Sequence, residues 1–326
     1  MLNYIIRRVL YAIPILIGVN LITFTLFFVV NTPDDMARMQ LGIKYVTPEA
    51  IEKWKADRGY DKPLLFNHGE ENLKQQLTNT IFFEKSVAMF MFEFGRAEDG
   101  RDITQEIKAR MIPSLAIALP VFILGLFVYI TLALFLVFFR ATYIDFWGVV
   151  LCIGFMSVSS LFYIIGGQFL ISKLWHLVPI SGYTGGLEAG KFLLLPIIIG
   201  VISSVGSNTR WYRAIFLEEM SKEYVRTARA KGLSERLVLF RHVLKNAMIP
   251  ILTGAVVVVP LLFLGSLVVE SFFGIPGLGS YTIDAINSQD FSIVRAMVFL
   301  GSLLYIIGLM LTDITYTLVD PRIRLS

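Results

Sequence analysis

The side chains best suited to chemistry in this sequence lie in one stretch near its middle, residues 210–246. This stretch holds nine Lys and Arg residues against four acidic residues, and it lies between two long stretches without any charged residue. Because charged groups are costly in hydrocarbon, the stretch must lie in water beside a membrane. Cations in that position bind acidic side chains or phosphates, which indicates recognition rather than catalysis.

Other patterns that could bind a ligand or catalyse a reaction are weak. The run from Gly185 to Phe192 has the glycine and lysine spacing of a phosphate-binding loop, but it lacks the final Ser or Thr and no strand precedes it. His68, His176 and His242 fall in different segments, and Cys152 is the only cysteine. We therefore predict no catalytic residue, no cofactor-binding residue and no metal site in this chain.

Three acidic residues near apolar stretches have open roles. Asp313 either forms a structural pair with Asp320 or has an intramembrane function, as acids inside membranes often do. Glu270 and Asp284 lie in a stretch without Lys or Arg. Each of them either meets a substrate or binding protein or is a solvated loop charge.

Composition indicates an integral membrane protein. Of 326 residues, 56% are hydrophobic and 17% are charged, whereas soluble domains have about a quarter charged residues. Six stretches lack charged residues over lengths that span a bilayer as helices, which takes roughly 20 residues; they are 9–33, 111–139, 146–172, 192–209, 246–269 and 296–312. Their apolar residues are continuous rather than alternating, so we predict an all-α fold with six transmembrane helices.

The distribution of basic residues predicts the orientation. Short loops rich in Lys and Arg stay in the cytoplasm, and Arg7 with Arg8 precedes the first apolar run, which is too long for a signal peptide and is predicted to be retained. We predict both termini and 210–246 in the cytoplasm and 270–292 outside. The stretch 31–110 is then a large extracytoplasmic loop, to which the charge rule applies weakly because of its length.

Two parts of that loop have a predicted structure. Thr47 and Pro48 are typical of a helix start, and the helix should reach Asp57 and stop at Gly59. Residues 81–94 are apolar and aromatic. They form either an interfacial helix on the membrane or part of the internal packing of the loop.

Within the basic stretch, the residues from Lys222 to Lys231 include no Pro or Gly and favour a helix. Gly232 should end it, and Ser234 with Glu235 should begin a second helix. A short amphipathic helix of this kind either docks into a groove on a soluble protein or presents a solvated basic face to anionic lipid. The residue types alone leave these two alternatives open.

The segment resembles a known motif. The run Tyr224-Val225-Arg226-Thr227-Ala228-Arg229-Ala230-Lys231-Gly232-Leu233-Ser234, followed by His242, Asn246-Ala247 and Pro250, resembles the cytoplasmic coupling motif of ABC-importer permeases, and within them the peptide and nickel import branch. The generic motif starts Glu-Ala-Ala, where this chain has Arg226-Thr227-Ala228. Its Pro is displaced to position 250, as in the peptide-branch form.

The resemblance extends over nearly the whole chain and is greatest to the first, B-type, membrane subunit of dipeptide systems. It rests on Met1 to Arg8 with Pro14, Trp175 with Pro179, Ser181-Gly182-Tyr183, Leu195-Pro196, Glu270 to Gly279, and Asp320 to Arg324. The family usually has Pro-Gly-Asp-Pro after the first span, where this chain has Asn31-Thr32-Pro33-Asp34-Asp35, and a Pro near Ser159-Ser160. These departures leave the substrate open more than the family.

The resemblance implies a non-catalytic subunit of the bacterial inner membrane. Its partners would be a second homologous permease, two cytoplasmic ATPases that hold ATP and Mg²⁺, an extracytoplasmic binding protein and lipid, but no nucleic acid. The residues implied to couple it to the ATPase are Glu223, Tyr224, Arg226, Thr227, Ala228, Arg229, Ala230, Lys231 and Gly232. Tyr224 and the Ala pair would enter the ATPase cleft, the cations would meet acids or phosphates, and Gly232 would form a turn that a Cβ would crowd.

The resemblance divides the chain into 1–30 (the N-terminus and first helix), 31–110 (the outer loop) and 111–326 (the permease core). The core would have spans near 111–139, 146–172, 192–210, 247–269 and 293–316 and a coupling loop at 211–246. Peptides are the implied cargo, with nickel chelates or another small solute as alternatives. An ion-driven carrier would place ionisable residues at the membrane midplane, and a membrane hydrolase would need a convergent cluster; the sequence favours neither.

Overall fold

The computed structural model of the chain describes residues 2–42, 46–70 and 72–319. In this part the secondary structure is helical, apart from an isolated antiparallel bridge between Arg96 and Asp102. The α-helices are α1 Leu2–Phe24, α2 Pro33–Leu41, α3 Pro48–Arg58, α4 Leu73–Thr78, α5 Ile103–Phe138, α6 Tyr143–Ser157, α7 Ser160–Gly167, α8 Ala189–Met220, α9 Glu223–Ala230, α10 Glu235–Leu237, α11 Leu244–Leu261, α12 Leu267–Phe273, α13 Leu278–Asn287 and α14 Phe291–Val319. Shorter π-helical or 3₁₀ segments are Thr25–Val30, Phe83–Val87, Ala88–Met91, Gln168–Leu174, Gly186–Glu188, Val238–Val243 and Leu262–Leu264.

Among the described residues, five helical stretches are long and apolar enough to cross a membrane. They are Ile6–Val30, Ile103–Phe138, Ala189–Met220, Glu235–Leu264 and Phe291–Thr315. A sixth is obtained when the bent pair Tyr143–Ser157 and Ser160–Leu174 is counted as one span. The helical membrane fold is thus confirmed, and the count of six depends on that bent pair.

The third span is not the continuous helix that its apolar sequence predicts. The helix axis bends by 85° between α6 and α7, because Val158 and Ser159 adopt extended backbone with ψ of 129° and 144°. The bend removes the amide that the Phe155 carbonyl would bind in a regular helix. The hydroxyl of Tyr163 replaces it and donates a 2.7 Å hydrogen bond to that carbonyl, so the break leaves no unpaired group at this position.

The helices on either side of the basic segment are longer than the charge-free stretches that predicted them. Helix α8 ends at Met220 rather than near residue 209, because Tyr212, Phe216 and Met220 recur every four residues and are buried in one core. The next span begins at Glu235. The segment between the two spans is therefore reduced to residues 221–234.

The structure divides into two compact units, and the first consists of residues 1–109 and 281–306. Its core is aromatic and apolar; the buried residues are Phe24, Phe28, Met36, Ala37, Ile51, Trp54, Tyr60 and Ile81. The predicted helix of the outer loop is confirmed as α3. The hydroxyl of Thr47 accepts a hydrogen bond from the Ala50 amide at its start, and Gly59 ends it with a φ of +68°.

Residues 81–94 of the first unit form short π-helical and 3₁₀ turns. Ile81, Met89 and Phe94 are buried, whereas Met91 and Phe92 are exposed. The Asn20 amide donates a 3.0 Å hydrogen bond to the carbonyl of Ser86. Internal packing therefore accounts for one face of this segment, and the exposed face retains the apolar character that an interfacial role requires.

The second unit consists of residues 110–280 and 307–326, of which 320–326 lie outside the described part. It has two apolar cores. One contains Ala133, Phe216 and Val225, and the other contains Ile117 and Phe273. Helix α5 contributes Ala133 to the first core and Ile117 to the second, so the two cores lie about 24 Å apart along that helix.

Candidate functional site

The basic segment folds, as predicted, into a short helix, α9, with one apolar face. Val225 and Ala228 are 0% and 4% exposed, and their spacing of three residues places them on the same side of the helix. Both belong to the core that contains Phe216 and Val238. Because the chain covers the apolar face of α9 itself, only the polar face is left for a partner.

The start of α9 is tied to the end of α8 through the buried side chain of Glu219. Its Oε2 accepts a 2.6 Å hydrogen bond from the hydroxyl of Tyr224, and its Oε1 accepts a 2.5 Å bond from the ammonium of Lys222. Burial, together with the bond to Glu219, raises the pKa of Tyr224 to about 12. The phenol therefore keeps its proton near neutral pH and remains the donor in a charge-assisted bond.

The turn after α9 depends on Gly232. Its φ is +79°, a region that costs an L-residue roughly 1–2 kcal/mol, and its amide donates a 2.9 Å hydrogen bond to the carbonyl of Arg229. A Cβ at this position would meet nothing within 4 Å. The expectation that a Cβ would be crowded is therefore wrong, and the glycine is needed for its backbone conformation.

Two of the predicted cations are paired within the segment. Arg226 Nη1 lies 2.7 Å from Glu223 Oε1. Arg229 donates to both carboxylate oxygens of Glu235, at 2.7 Å and 3.3 Å, and so connects α9 to the start of α10. These pairs stabilise the turn and reduce the charge that Arg226 and Arg229 offer to a partner.

A surface cavity of about 480 Å³ lies beside α9. Its wall is formed by Tyr224, Thr227, Ala228, Lys231, Leu233, Leu237, Arg241 and His242. The wall includes the cations of Lys231 and Arg241 and the hydroxyl of Thr227. Its other members include the apolar side chains of Ala228, Leu233 and Leu237. This combination suits an acidic or hydrogen-bonding group of a protein partner.

The nine residues predicted to couple this chain to an ATPase all lie on α9 or in the turn after it, but they do not share one surface. Glu223, Arg226, Thr227, Ala230, Lys231 and Gly232 are exposed, Tyr224 and Arg229 are half-buried, and Ala228 is buried. Of the Ala pair, only Ala230 is available to a partner. Likewise, the hydroxyl of Tyr224 is already bound to Glu219.

A second and larger cavity of about 710 Å³ lies within the second unit. Its lining comes from α5, α7, α8, α11 and the residues that follow α11: Ser114, Ile117, Ala118, Val121, Phe122, Leu126, Tyr129, Ser160, Ile164, Pro196, Gly200, Ser203, Ser204, Asn208, Trp211, Tyr212, Gly254, Ala255, Val258, Leu261, Leu262, Gly265, Ser266, Val268 and Val269. None of these lining residues is charged. Hydroxyl and amide groups on α8, at Ser203, Ser204 and Asn208, give the cavity a polar strip.

Helix α8 connects this cavity to α9. It lines the cavity from Pro196 to Tyr212 and, about two turns further on, carries Glu219, which binds Tyr224. The carbonyl of Val201 accepts a 3.0 Å hydrogen bond from Tyr129 on α5. A displacement of α9 would therefore act directly on a helix that forms the cavity wall.

Two ionic features were not predicted from the sequence. Arg213 on α8 donates to both carboxylate oxygens of the buried Asp145 on α6, at 2.9 Å and 2.7 Å. In the first unit, Arg295 is 2% exposed and lies 4.6 Å from the ring centroid of Phe28. Asp145 and Arg295 directly precede charge-free stretches, so a count of charges inside the stretches did not include them.

The acidic residues with open roles have different outcomes. Glu270 is 0% exposed, so the expectations that it meets a substrate or lies solvated in a loop are wrong for this structure. Asp284 is exposed, and its alternatives stay open. Asp320, the predicted partner of Asp313, lies outside the described residues. No group of three or more His, Cys, Asp or Glu side chains within the described ranges could hold a metal ion.

The long apolar helices and the charge-free cavity define an integral membrane protein of the transport class. Residues 107–325 match the family of binding-protein-dependent transport system inner membrane components. Residues 1–88 match the family of the N-terminal part of the same membrane components. The chain belongs to this family, whose members are multi-pass proteins of the inner membrane.

Three relatives extend over almost the full length of the chain. A protein of Brucella abortus (strain 2308), provisionally named a peptide transport system permease, is 32% identical and covers 98% of both chains. The glutathione transport system permease GsiC of Pectobacterium atrosepticum is 30% identical over 99% of both. The dipeptide transport system permease DppB of Escherichia coli K12 is 28% identical over 99% of both. Membership implies that an ATPase and a substrate-binding protein work with this chain.

Proposed function

We propose that this chain forms half of the translocation pathway of an ABC importer for di- or oligopeptides, and that α9 with the following turn couples the pathway to ATP hydrolysis by partner subunits. The observation that carries the proposal is the position of α8. One helix lines the charge-free cavity and, at its end, binds α9 through Glu219. A force on α9 therefore reaches the cavity wall through a single rigid element.

The proposed topology follows from the charge of the loops. Both termini and residues 221–234 lie in the cytoplasm, and residues 31–102 and 265–290 lie outside, because the first set of loops is rich in Lys and Arg and the stretch 270–292 has none. The cavity lies between α9 and the outer segment that follows α11. Its outer end is lined by Ser114 and Ser266, and its inner end by Tyr129 and Tyr212.

The proposed assembly contains a second homologous permease, two ATPase subunits, an extracytoplasmic binding protein and membrane lipid. ATP and Mg²⁺ are held by the ATPases, and this chain has no catalytic role and no cofactor of its own. The cavity beside α9, with Lys231 and Arg241 on its wall, would receive an acidic or hydrogen-bonding group of the ATPase. Closure of the ATPase pair would then move α9 and α8 together as a rigid body.

The peptide cargo is supported by two observations. The relatives are named for peptide, glutathione and dipeptide transport. The cavity wall is neutral and offers hydroxyl and amide groups at Ser203, Ser204 and Asn208. Such groups can exchange hydrogen bonds with a peptide backbone, whereas the absence of a fixed charge on this lining lets acidic, basic and apolar side chains pass.

A cross-linking experiment tests the coupling role of α9. Cys152 is the only cysteine, so Cys152→Ser gives a background in which a single new thiol can be placed. Thr227→Cys on the exposed face should cross-link to the co-purified ATPase in membranes. Val225→Cys is the matched control, since Val225 is 0% exposed in the chain's own core and does not line the cavity beside α9, and it should not cross-link.

The same preparation tests the class of the protein. Purification of the full chain in mild detergent, followed by mass spectrometry, should recover an ATPase and a second permease. A chain that purifies alone, from membranes shown to contain those subunits, would contradict the proposal. So would equal cross-linking from positions 227 and 225, because it would mean that α9 does not present its polar face to the ATPase.

A further inference from the structure

The buried carboxylate of Glu270 lies in the segment that follows α11, in the second unit. Glu270 belongs to α12, which begins after Ser266 and ends at Gly274, where φ is +63°. It is 0% exposed, and no ion pair with it is found in the part of the chain that the structure describes. A charged group in this environment is stable only when hydrogen bonds replace its hydration.

Hydrogen-bond donors surround the carboxylate on both sides. Oε1 accepts a 3.1 Å bond from the amide of Ser266, and Oε2 accepts a 3.0 Å bond from the amide of Ser280. The amide of Gly279 and the hydroxyl of Ser114 lie beside it and lower its pKa. The Ser114 oxygen in turn accepts a 2.7 Å bond from the amide of Leu278.

The packing around Glu270 leaves no room for other side chains. A Cβ at Gly265 or at Gly277 would overlap the Glu270 carboxylate and crowd the Ser114 hydroxyl. Burial raises the pKa of Glu270, and the hydrogen bonds from Ser280 and Ser114 act against that rise. The two glycines and the donors thus form a cradle that fits one carboxylate.

This cradle lies directly behind the wall of the large cavity. Ser114, Gly265 and Ser266 line the cavity and also surround the carboxylate. Ser114 belongs to α5, a transmembrane span, whereas Leu278 and the donors to the carboxylate belong to the segment 265–280. The bond from Leu278 to Ser114 therefore joins a span to the segment that forms the end of the cavity farthest from α9, and the carboxylate lies beside that bond.

The same segment has other attachments within the second unit. The side-chain amide of Gln168 donates 3.1 Å bonds to the carbonyls of Phe272 and Ile180. The amide of Gly182 donates a 2.8 Å bond to the carbonyl of Phe273. These bonds join backbone carbonyls at the end of α12, so they hold α12 without involving the carboxylate. The bond to α5 is the one from the Leu278 amide to Ser114, next to the Glu270 carboxylate.

We infer that Glu270 is a positioning residue for transport: it holds the segment 265–280 against Ser114 and keeps the outer end of the cavity closed until the transport cycle opens it. The inference rests on the proposed function. A segment that only had to pack could use an apolar side chain, which avoids the cost of burying a charge. The carboxylate binds the amides of Ser266 and Ser280 at once, which closes the segment on itself and holds the Leu278 amide against Ser114. The bond between Leu278 and Ser114 is lost when the segment moves away from α5.

The test uses the complete transporter, with both permeases, ATPases and binding protein, reconstituted in proteoliposomes. Glu270→Gln keeps the size of the side chain but replaces one carboxylate oxygen by an NH₂ group. Because NH₂ cannot accept a hydrogen bond from the backbone amides of Ser266 or Ser280, at least one bond is lost. Loss of one such buried bond should shift the closed–open equilibrium of the outer segment roughly tenfold toward open. We expect more ATP hydrolysis without peptide and several-fold less peptide transported per ATP hydrolysed.

Ser114→Ala is the second variant and removes the hydroxyl on α5 that accepts the bond from Leu278, with little change of volume, so it decides the matter if Glu270→Gln does not assemble. It should also lower the amount of peptide transported per ATP hydrolysed. The double variant, Glu270→Gln with Ser114→Ala, should lower it little further than the single variants do. Glu188→Gln, at an exposed acid of the same unit, is the control and should behave as wild type.

The outcomes separate the inference from the proposed function. An unchanged ratio of peptide to ATP in Ser114→Ala, at equal assembly, overturns the inference while leaving the proposed function intact. If Glu270→Gln does not assemble and Ser114→Ala transports as much peptide per ATP as wild type, the carboxylate is needed for folding alone. That result also overturns the inference. Absence of ATP-dependent uptake in both wild type and Glu188→Gln overturns the proposed function, and the inference with it.

Discussion

The hydroxyl of Tyr224 lies 2.6 Å from Oε2 of Glu219 and donates a hydrogen bond to it. Glu219 is buried near the end of α8, and Tyr224 is in the first turn of α9. The bond fixes the angle at which the short helix leaves the long one. Since α8 lines the large cavity, this contact connects the proposed ATPase-facing surface to the proposed peptide pathway.

Removal of the Tyr224 hydroxyl should therefore weaken coupling more than folding. In Tyr224→Phe the ring still packs, while Glu219 keeps Lys222 as a partner at 2.5 Å, so the loss of stability should be on the order of 1 kcal/mol. We expect an assembled transporter that hydrolyses ATP but imports less peptide. Tyr143→Phe, at a hydroxyl that is far more exposed, is the matched control; equal uptake by the two variants would contradict this role.

Substitution of Gly232 should disturb the turn in proportion to the backbone strain. Alanine must adopt the φ of +79° at a cost of roughly 1–2 kcal/mol, and it meets no neighbour within 4 Å. Proline cannot adopt this φ and also removes the amide that bonds to Arg229. Uptake should fall moderately in Gly232→Ala and nearly completely in Gly232→Pro, with the protein still in the membrane.

The control for the alanine variant is Gly190→Ala, in α8, where φ is not positive and no atom lies within 4 Å of the added Cβ. It should leave uptake at the wild-type level. Wild-type uptake by Gly232→Pro, at equal membrane levels, would show that this turn does not take part in coupling.

The two alanines of α9 should respond in opposite ways to enlargement. Ala228 is buried in the core that contains Val225 and Val238, so Ala228→Leu should overpack that core and cost roughly 1–3 kcal/mol. Ala230 is exposed, so Ala230→Leu should leave the thermal stability of the detergent-purified chain unchanged and weaken its binding to the ATPase. Thermal melting and co-purification measured side by side distinguish the two. A stable Ala228→Leu variant would mean that α9 is not packed as described.

The ion pair between Asp145 and Arg213 should be a large contributor to the stability of the second unit. Both nitrogen–oxygen distances are below 3 Å, and Asp145 is buried. Asp145→Asn leaves the guanidinium of Arg213 without its partner; because that side chain is 22% exposed, the cost should lie below the roughly 3–5 kcal/mol of a fully buried pair. We expect Asp145→Asn to lower the thermal midpoint clearly, and Asp145→Asn with Arg213→Met to lower it less than the sum of the single effects. Simple additivity would show that the pair contributes little.

The sequence predicted the helical class, the apolar spans and α9, because each depends on local composition. Charge-free runs of membrane length, the glycine at 232 and the start of α3 after Thr47 are signals that can be read residue by residue. The family resemblance came from such local runs as well. These features do not require knowledge of which residues meet in space.

Features that depend on contacts between distant residues were not predictable from composition. The buried state of Glu270 arises because Ser114, far away in sequence, and two glycines close around it. The bend after Ser157 follows from two residues, Val158 and Ser159, whose extended conformation no apolar count reveals. The burial of Ala228 depends on the packing of α9 against the π-helical segment Val238–Val243, which the spacing of charges does not determine.

Peptide uptake by the reconstituted transporter tests the central claim most directly. Proteoliposomes containing this chain, its partner permease and the ATPases, with the binding protein added outside, are supplied with labelled dipeptide. The account predicts uptake that requires ATP inside the vesicles, where the ATPases lie, and that persists when the proton gradient is collapsed. Uptake should fall in Tyr224→Phe but not in Tyr143→Phe. Uptake that follows the proton gradient and continues without ATP would contradict it.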